Sequence, residues 1–297
     1  MTVQELNSIV ELLTSRPQPE NPPPAEMRER FDKLAGFLPT PDDATVEKTE
    51  AGGIAAEWVS APGVSKGRAV LYLHGGGYVI GSINTHRTLA YNLSKAADAR
   101  ILVIDYRLAP EDPFPAAIDD AVAAYEWMLK QGLKPANMAI SGDSAGGGLT
   151  MATLLALRDK GIELPACAVP MSPWVDLEGV GDSMTANHDI DPMVQKPGLD
   201  RMAKMYLADQ DPRQPLASPI HADLKGLPPL LIQVGTRETL LDDARRLHVK
   251  ALAAGVQSSL EEAGGMIHVW QLFAPMLSEG REAIDRAGVF IRANAGA

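Results

Sequence analysis

The sequence has little of what several protein classes depend on. It contains one cysteine, Cys167, which excludes an intrachain disulfide and a cysteine-based zinc site. No cluster of lysines and arginines stands out, and the formal net charge is −11, from 27 Lys and Arg against 38 Asp and Glu. Because nucleic acids and anionic membranes both demand clustered basic residues, we expect neither as a partner. Cys167 lies in the apolar run ACAVPM, which predicts a buried structural thiol.

Long apolar runs are also missing. No stretch approaches the length needed to span a membrane, and the opening residues MTVQELNSIVELLTSR have neither a basic segment nor a long apolar block. We therefore expect no signal peptide and a soluble, cytoplasmic protein. With 45% hydrophobic and 22% charged residues over 297 positions, the composition is that of a globular chain with a sizeable core.

The first 40 residues differ in pattern from the rest of the chain. Apolar residues at helical spacing predict one helix before residue 15 and a second after the segment PQPENPPP at 17–24. The prolines of that segment interrupt a helix because they remove amide donors and clash with the preceding turn. Neither short helix can bury its apolar face alone, so both are expected to lie on a larger body.

From about residue 54 short apolar runs alternate with helical patterns, which predicts a mostly parallel sheet with helices on both faces. In such sheets the chemistry gathers at the carboxyl ends of the strands. An irregular, Met-rich stretch at 183–215 breaks the alternation. It predicts a lid or pocket wall, with a plain surface excursion as the alternative. The predicted strands lie within 69–74, 100–106, 137–142, 166–172, 230–235 and 258–263.

Ser144 stands in the stretch SGDSAGGG, between a predicted strand and a predicted helix. Residues 142–146, GDSAG, match the pattern G-x-S-x-G in the strand–turn–helix context that a nucleophilic serine needs. Small neighbours leave room for a sharp turn, and the helix N-terminus that follows favours negative charge. A plain glycine-rich turn is the alternative, because the five-residue pattern alone arises often by chance.

A second glycine-rich segment, HGGGY at 74–78, follows another predicted strand directly. Successive glycines let backbone N–H groups approach a developing oxyanion closely, as acyl transfer requires. A tight glycine turn is the alternative. A phosphate cradle is less favoured because no G-K-[ST] follows. His74 is expected to be structural, since the base comes after the serine in the chain order of this kind of site.

Several motifs recur in an order that resembles the bacterial hormone-sensitive-lipase-like esterases, an α/β-hydrolase family. They are HGGG, DYRLAPE (105–111), GDSAGG (142–147), SPW (172–174) and the segment LASPIHADLKGLPPLLIQVG (216–235). The resemblance covers residues 45–297. It implies an α/β-hydrolase fold, with a mostly parallel central sheet, helices on both faces and a helical cap. Residues 1–40 and 183–215 would form the cap, and residues 41–182 and 216–297 the catalytic domain.

The resemblance also implies the site residues. Ser144 would be the nucleophile and His268 its base, with the backbone N–H groups of Gly76, Gly77 and Ala145 as the oxyanion hole. The family usually has His-Gly-Phe where this chain has HVW at 268–270. His248 is the main rival for the base, although it lies inside a predicted helix.

The acid departs from the family pattern D-P-L-x-D-E-G, because residues 238–244 read ETLLDDA. Register places Glu238 in the catalytic position and Asp242 in the second acidic one. A glutamate can serve, since the acid orients the imidazole and stabilises its cation. Asp242 and Asp243 are expected to begin the next helix, where the helix dipole favours acids.

We expect from this resemblance a serine carboxylesterase that hydrolyses short-chain esters through an acyl-enzyme, with a small-molecule ester as substrate and no cofactor. A lipase or an amidase would share the same residues. A non-catalytic binding protein on the same scaffold is a further alternative, as in the plant gibberellin receptors that resemble this family; it is less favoured because serine, acid and histidine are all present. No metal is expected, since HDID (188–191) and DQD (209–211) lack the other positions of a calcium loop. The family's pairing through its last strand and helix makes a homodimer possible.

Overall fold

The computed structural model describes residues 3–15, 22–36 and 38–296. Within these ranges one sheet of eight strands has the order β1-β2-β4-β3-β5-β6-β7-β8. β1 and β2 form an antiparallel hairpin, β2 pairs antiparallel with β4, and the remaining neighbours are parallel. The strands are β1 (Thr45–Ala51), β2 (Ile54–Ser60), β3 (Ala69–Leu73), β4 (Arg100–Ile104), β5 (Met138–Asp143), β6 (Cys167–Met171), β7 (Leu230–Gly235) and β8 (Ser258–Ala263).

Helices cover both faces of the sheet. α3 and α9 pack on one face, and α4, α5 and α8 pack on the other. The helices of the described ranges are α1 (Val3–Thr14), α2 (Pro24–Ala35), α3 (Ile83–Ala97), α4 (Ala116–Lys130), α5 (Ala145–Asp159), α6 (Ser183–Ala186), α7 (Lys196–Leu207), α8 (Leu241–Ala253) and α9 (Ser278–Asn294). None of them combines the length and apolar character needed to cross a bilayer.

The central strands are buried on both sides because their side chains alternate between two apolar cores. In β3, Val70 and Tyr72 pack into the core on the side of α3 and α9, whereas Leu71 and Leu73 pack into the opposite core. All four are fully buried. Burial on both faces produces continuous apolar runs in the sequence, as in β3 to β7. Each of the six predicted strands is confirmed, including the edge strand β8, whose residues are half-buried or exposed. Cys167 is buried in β6, as its apolar surroundings predict.

The two predicted N-terminal helices are confirmed as α1 and α2, while residues 16–21 of the proline-rich region lie outside the described residues. α1 buries Leu6 and Ile9 in the core shared with α9. The Glu5 carboxylate of α1 accepts hydrogen bonds from the backbone N–H (3.0 Å) and the hydroxyl (2.8 Å) of Ser278, the first residue of α9. The first helix is thereby joined to the last one.

Arg28 of α2 contacts the segments that follow β3 and β4. Arg28 donates from Nε to the carbonyl of Val79 (2.8 Å) and from Nη2 to the carbonyl of Ala109 (2.9 Å). The same guanidinium pairs with Glu111 at 2.6 Å. These contacts connect α2 to the motif DYRLAPE and to the residue directly after HGGGY.

Residues 183–215 contain α6 and α7 between β6 and β7, which is where the sequence predicts an insertion. The ring of Tyr206 at the end of α7 stacks on that of Tyr78, with centroids 3.8 Å apart. The carbonyl of Tyr206 accepts the backbone N–H of Phe114 at 2.7 Å. α7 is therefore attached to the segments that follow β3 and β4.

Candidate active site

Ser144 lies in the turn between β5 and α5. Its backbone has φ 54° and ψ −120°, a strained conformation for a residue with a side chain. The turn is held by three hydrogen bonds, from Ser144 N–H to the Met171 carbonyl (2.9 Å) and from the N–H groups of Gly148 (3.1 Å) and Trp174 (2.9 Å) to the Ser144 carbonyl. A Cβ at Gly146 would collide with the carbonyl oxygen of Leu73, so this position requires glycine. The surroundings thus fix a strained serine at the start of a helix.

The HGGGY turn follows β3, the neighbour of β5 in the sheet. Gly76 and Gly77 both have positive φ, 120° and 61°. The Gly76 carbonyl accepts the N–H groups of Val79 (3.1 Å) and Ile80 (2.9 Å), which closes the turn. Within the described part of the chain, the N–H groups of Gly76, Gly77 and Ala145 have no hydrogen-bond acceptor. Three backbone donors are therefore available close to the serine turn.

His268 and Glu238 are in direct contact. His268 Nδ1 lies 2.8 Å from Glu238 Oε2, and both side chains are buried. Since the carboxylate accepts, we assign the Nδ1 proton to the histidine, which leaves Nε2 free to take a proton. Glu238 Oε1 accepts the backbone N–H of Gly235 (2.5 Å) and the hydroxyl of Ser172 (2.8 Å). The Ser172 oxygen in turn accepts the N–H of Val269 (3.2 Å). Glu238 and His268 are thus held in one hydrogen-bonded network with Ser172.

The electrostatics of this pair favour a charged histidine. Burial alone would lower the pKa of His268, but the hydrogen bond and charge of Glu238 outweigh it, and the pKa is raised above its ordinary value. Asp191 and Asp143 contribute in the same direction. Burial raises the pKa of Glu238, and the donors His268, Gly235 and Ser172 oppose that rise. The arrangement stabilises an imidazolium, as general-base catalysis requires.

Val269 follows His268 with a left-handed backbone, φ 47° and ψ 48°. A β-branched residue is rare in this region, whereas glycine adopts it freely. This is the position at which the sequence departs from the family's His-Gly-Phe. The side chain of Val269 is buried in the core with Trp270, so packing holds the strained conformation.

The sequence-predicted residues all lie at one edge of the sheet. Ser144 follows β5, Glu238 follows β7 and His268 follows β8, and the parallel strands direct these ends to the same side. The other acids are placed elsewhere. Asp242 accepts the N–H of Ser183 at 2.8 Å and pairs with Arg245.

Asp242 and Asp243 lie in the first turn of α8, as expected. Asp243 also binds the chain at 175–176, which its position in the sequence does not predict. It is completely buried, and its Oδ2 accepts the N–H groups of both Val175 and Asp176 at 3.0 Å. His248, the rival base, lies on α8 with its Nδ1 2.9 Å from the hydroxyl of Ser258, so it has no contact with Glu238. The structure therefore sets these residues apart from the His268–Glu238 pair.

Sequence reasoning missed three functional contacts. Ser172, although part of the SPW motif, was given no role, and it bridges Glu238 to the segment after His268. Asp191 is buried and accepts the N–H of Thr239 (2.9 Å), the residue after Glu238. Asp143 is buried beside His86. The GDSAG motif marks Asp143, but its partners are distant in sequence.

One group of side chains in the described residues has the spacing of a metal site, namely Asp176, Glu178 and His221. Its carboxylates already have cationic partners. Asp176 pairs with Arg246 at 2.6 Å, and Glu178 pairs with Arg213 at 2.9 Å. These arginines compete with any cation for the same oxygens, so the geometry does not favour a metal.

Comparisons with known proteins agree with this architecture. Residues 70–272 match the model of a family described by its α/β-hydrolase fold. An acetyl-hydrolase of Streptomyces hygroscopicus is 50% identical over 269 residues, which are 91% of this chain and 87% of that protein. The crystal structure of an esterase from the bacterial hormone-sensitive lipase family has a TM-score of 0.97 and 48% identity, with 100% of each chain covered. The crystal structure of EstE5 soaked with p-nitrophenyl butyrate has a TM-score of 0.95 and 50% identity, with 98% of each chain covered.

The fold, the order of the motifs and these similarities extend over nearly the whole chain. The chain therefore belongs to the α/β-hydrolase family, among the bacterial hormone-sensitive-lipase-like esterases.

Proposed function

We propose that this carboxylesterase hydrolyses short-chain esters with Ser144 as nucleophile, His268 as its base and Glu238 as the acid that orients the base. The observation that carries the proposal is the buried 2.8 Å contact between Glu238 and His268, at the sheet edge where Ser144 stands in its strained turn. A short acyl group is supported by the relative with 50% identity, which is an acetyl-hydrolase. The soaking of EstE5 with p-nitrophenyl butyrate supports the same conclusion.

The proposed reaction follows from this geometry in two halves. Ser144 Oγ attacks the ester carbonyl carbon while His268 Nε2 takes the hydroxyl proton, and the imidazolium is stabilised by Glu238. The carbonyl oxygen becomes an oxyanion, which the N–H groups of Gly76, Gly77 and Ala145 stabilise. Collapse of this intermediate expels the alcohol, which receives the proton from His268. Water then repeats the sequence on the acyl-enzyme, releases the carboxylic acid and restores Ser144.

We further propose that α2 and the 183–215 insertion form a cap over this site. Support comes from Met202 of α7, whose sulfur occupies the space where a side chain at Gly77 would lie. Arg201, also on α7, donates to the sulfur of Met27 on α2 at 3.0 Å, so the two parts touch. Asp32 of α2 accepts the hydroxyl of Ser82 at 3.0 Å, just after the HGGGY turn. A cap in this position limits the room for the acyl chain.

The test compares Ser144→Ala with the wild type on p-nitrophenyl acetate, butyrate, octanoate and laurate, and on p-nitroacetanilide. We expect kcat to fall on the order of 10⁶-fold, as for the comparable serine substitution in subtilisin. Ser259→Ala, on the exposed side of β8, is the matched control and should keep wild-type turnover. Thermal melting establishes that the inactive variant is folded.

The substrate panel separates the alternatives. A short-chain esterase works best on acetate or butyrate and poorly on laurate, whereas a lipase prefers the long chains, and an amidase cleaves the anilide at a comparable rate. A folded Ser144→Ala variant with wild-type ester turnover would remove Ser144 as the nucleophile. A wild-type protein that binds the esters without cleaving any of them would be a binding protein.

A further inference from the structure

A buried carboxylate lies directly beside the proposed nucleophile. Asp143, the last residue of β5, is 2% exposed. Its Oδ1 accepts the hydroxyl of Tyr72 (2.7 Å) and the backbone N–H of Gly75 (3.1 Å), and its Oδ2 lies 3.3 Å from His86 Nε2. Gly75 opens the glycine run whose next two amides are the proposed oxyanion donors. The carboxylate therefore connects the serine turn to the oxyanion turn.

The protons around His86 can be assigned from its neighbours. The hydroxyl of Thr85 donates to the Ser82 carbonyl at 2.8 Å, so Thr85 Oγ1 offers only lone pairs to His86 Nδ1, which lies 2.7 Å away. Nδ1 must then carry a proton. Nε2 lies 3.3 Å from both the Asp143 carboxylate and the Gly75 nitrogen. The Gly75 N–H has the nearer acceptor in Asp143 Oδ1 at 3.1 Å, so we assign that bond to it, which leaves Nε2 facing the carboxylate, where two opposed lone pairs would repel. A second proton therefore lies between Nε2 and the carboxylate.

No other cation balances this carboxylate in the ranges that the structure describes. His74 is close by, and its ring stacks on Tyr106 with centroids 4.2 Å apart. Burial first, and then the charge of His86, lower the pKa of His74 to about 3, so it is neutral. Burial pushes the pKa of Asp143 upward, but the charge and hydrogen bond of His86, with smaller contributions from Tyr72 and His74, more than reverse this, and its pKa is lowered. Asp143 and His86 thus form a buried ion pair.

We propose that Asp143 and His86 are positioning residues. They fix the Gly75 amide, and their opposite charges cancel each other beside the oxyanion hole. The proposal rests on the proposed function of Ser144 and its oxyanion donors. Without His86, a buried negative charge would stand next to the place where the reaction develops another one. Like charges in a poorly solvated site repel strongly, so the transition state would suffer more than the neutral bound ester.

The test is a double-mutant cycle on p-nitrophenyl butyrate. His86→Gln keeps a hydrogen-bond donor for Asp143 but removes the positive charge, and we expect kcat to fall about 100-fold, comparable to the loss of one oxyanion donor, with KM nearly unchanged. Asp143→Asn can still accept the Tyr72 and Gly75 donors and donate to His86, so we expect a loss of less than about tenfold. The double variant has no charge at either position and should recover most of the activity that His86→Gln loses.

A second measurement distinguishes the loss of the His86 charge from a general loss of structure in His86→Gln. A boronic acid inhibitor forms a negatively charged adduct on the serine, so its inhibition constant for His86→Gln should rise about as much as kcat/KM falls. His248→Gln, on the distant α8, is the matched histidine control and should change neither value.

Three outcomes decide the proposal. If His86→Gln keeps wild-type kcat while Ser144→Ala is inactive, the pair is not a positioning device, although the proposed function stands. If Ser144→Ala keeps its turnover, the proposed function itself fails. If His86→Gln does not fold, the double variant provides the decision, because it must fold and turn over; an inactive or unfolded double variant overturns the proposal.

Discussion

Replacing Glu238 by glutamine exchanges one carboxylate oxygen for an NH₂ group at nearly constant shape. The wild-type carboxylate accepts from three donors, His268 Nδ1, the Gly235 amide and the Ser172 hydroxyl. If the glutamine NH₂ faces His268, Nδ1 must become an acceptor and the proton moves to Nε2. Nε2 is the nitrogen that must accept the Ser144 proton, so it can no longer act as the base. If the NH₂ turns the other way, it opposes the Gly235 N–H. Neither orientation restores the wild-type tautomer with all donors satisfied.

The expected loss in kcat is on the order of 10⁴, by comparison with the serine-protease change that produces the same wrong tautomer. At 1.36 kcal/mol for each factor of ten, this corresponds to about 5.4 kcal/mol of transition-state stabilisation. The loss of a charge-assisted hydrogen bond alone is worth only about 1.5–3 kcal/mol, so the size of the effect separates a lost tautomer from a weakened contact.

The dependence of kcat/KM on pH gives an independent test of this role for Glu238. In the wild type the pKa of His268 is raised, mainly by Glu238 acting against burial, so the acidic limb of kcat/KM should lie above the ordinary histidine value. With Glu238→Gln the burial remains and the opposing charge is gone, so the limb of the residual activity should move to lower pH. Asp242→Asn is the control, since that acid lies at the start of α8 with Ser183 and Arg245 as partners.

The assay is steady-state hydrolysis of p-nitrophenyl butyrate between pH 5 and 9, with thermal melting of each variant. A folded Glu238→Gln enzyme that retains more than about a tenth of wild-type kcat, a loss below about 1.4 kcal/mol, would refute this role for Glu238. Asp242 would then be the next acid to test.

Three further predictions concern the surrounding structure. Burial, together with the charge of Asp176, raises the pKa of Asp243 to about 8, so the folded protein keeps a proton that the unfolded chain releases and stability falls as pH rises from about 4 to 8. Asp243→Asn should therefore match the wild-type Tm at or below about pH 4 and exceed it by a growing margin up to about pH 8. Equal Tm values at pH 8 would contradict this. Gly146→Ala should lower Tm sharply or prevent folding because its Cβ meets backbone, while Gly198→Ala in α7, where the space is open, should leave Tm equal or higher. Arg28→Ala should raise KM or change the ranking of acyl chains with only a modest drop in Tm, and an unchanged ranking and KM would argue against α2 as part of a cap.

The strands β3 to β7 could be predicted because they are buried on both faces and their apolar runs are bounded by turns. β1 could not be predicted in this way, since TVEKTEA is polar and mostly exposed at the edge of the sheet. Its only signal is the Gly52–Gly53 turn, at which both residues have positive φ and the chain reverses into β2. Edge strands depend on backbone pairing more than on side-chain burial, and a hydrophobic pattern does not report pairing.

In the candidate site, too, some residues could be predicted from the sequence and others could not. Ser144, Gly76 and His268 follow strands in short motifs, so the motifs with their strands are enough to locate them. His86 carries no motif, lies inside α3, and meets Asp143 only because α3 packs on the sheet, where it contacts β2 and β4. Asp243 resembles an ordinary first-turn acid until the chain at 175–176 is brought against it. Contacts between residues about 60 positions apart are set by tertiary packing, which local sequence does not specify.

The bonds from Ser278 to Glu5 have a consequence for the order in which the protein can be made. They join residues 273 positions apart, and they provide the start of α9 with the acceptor that a helix N-terminus lacks. On the ribosome α1 is synthesised long before its partner α9. Until α9 emerges, Leu6 and Ile9 lack part of the surface that buries them in the folded protein. Removing α9 would release α1 as well, so these two helices should unfold as one unit.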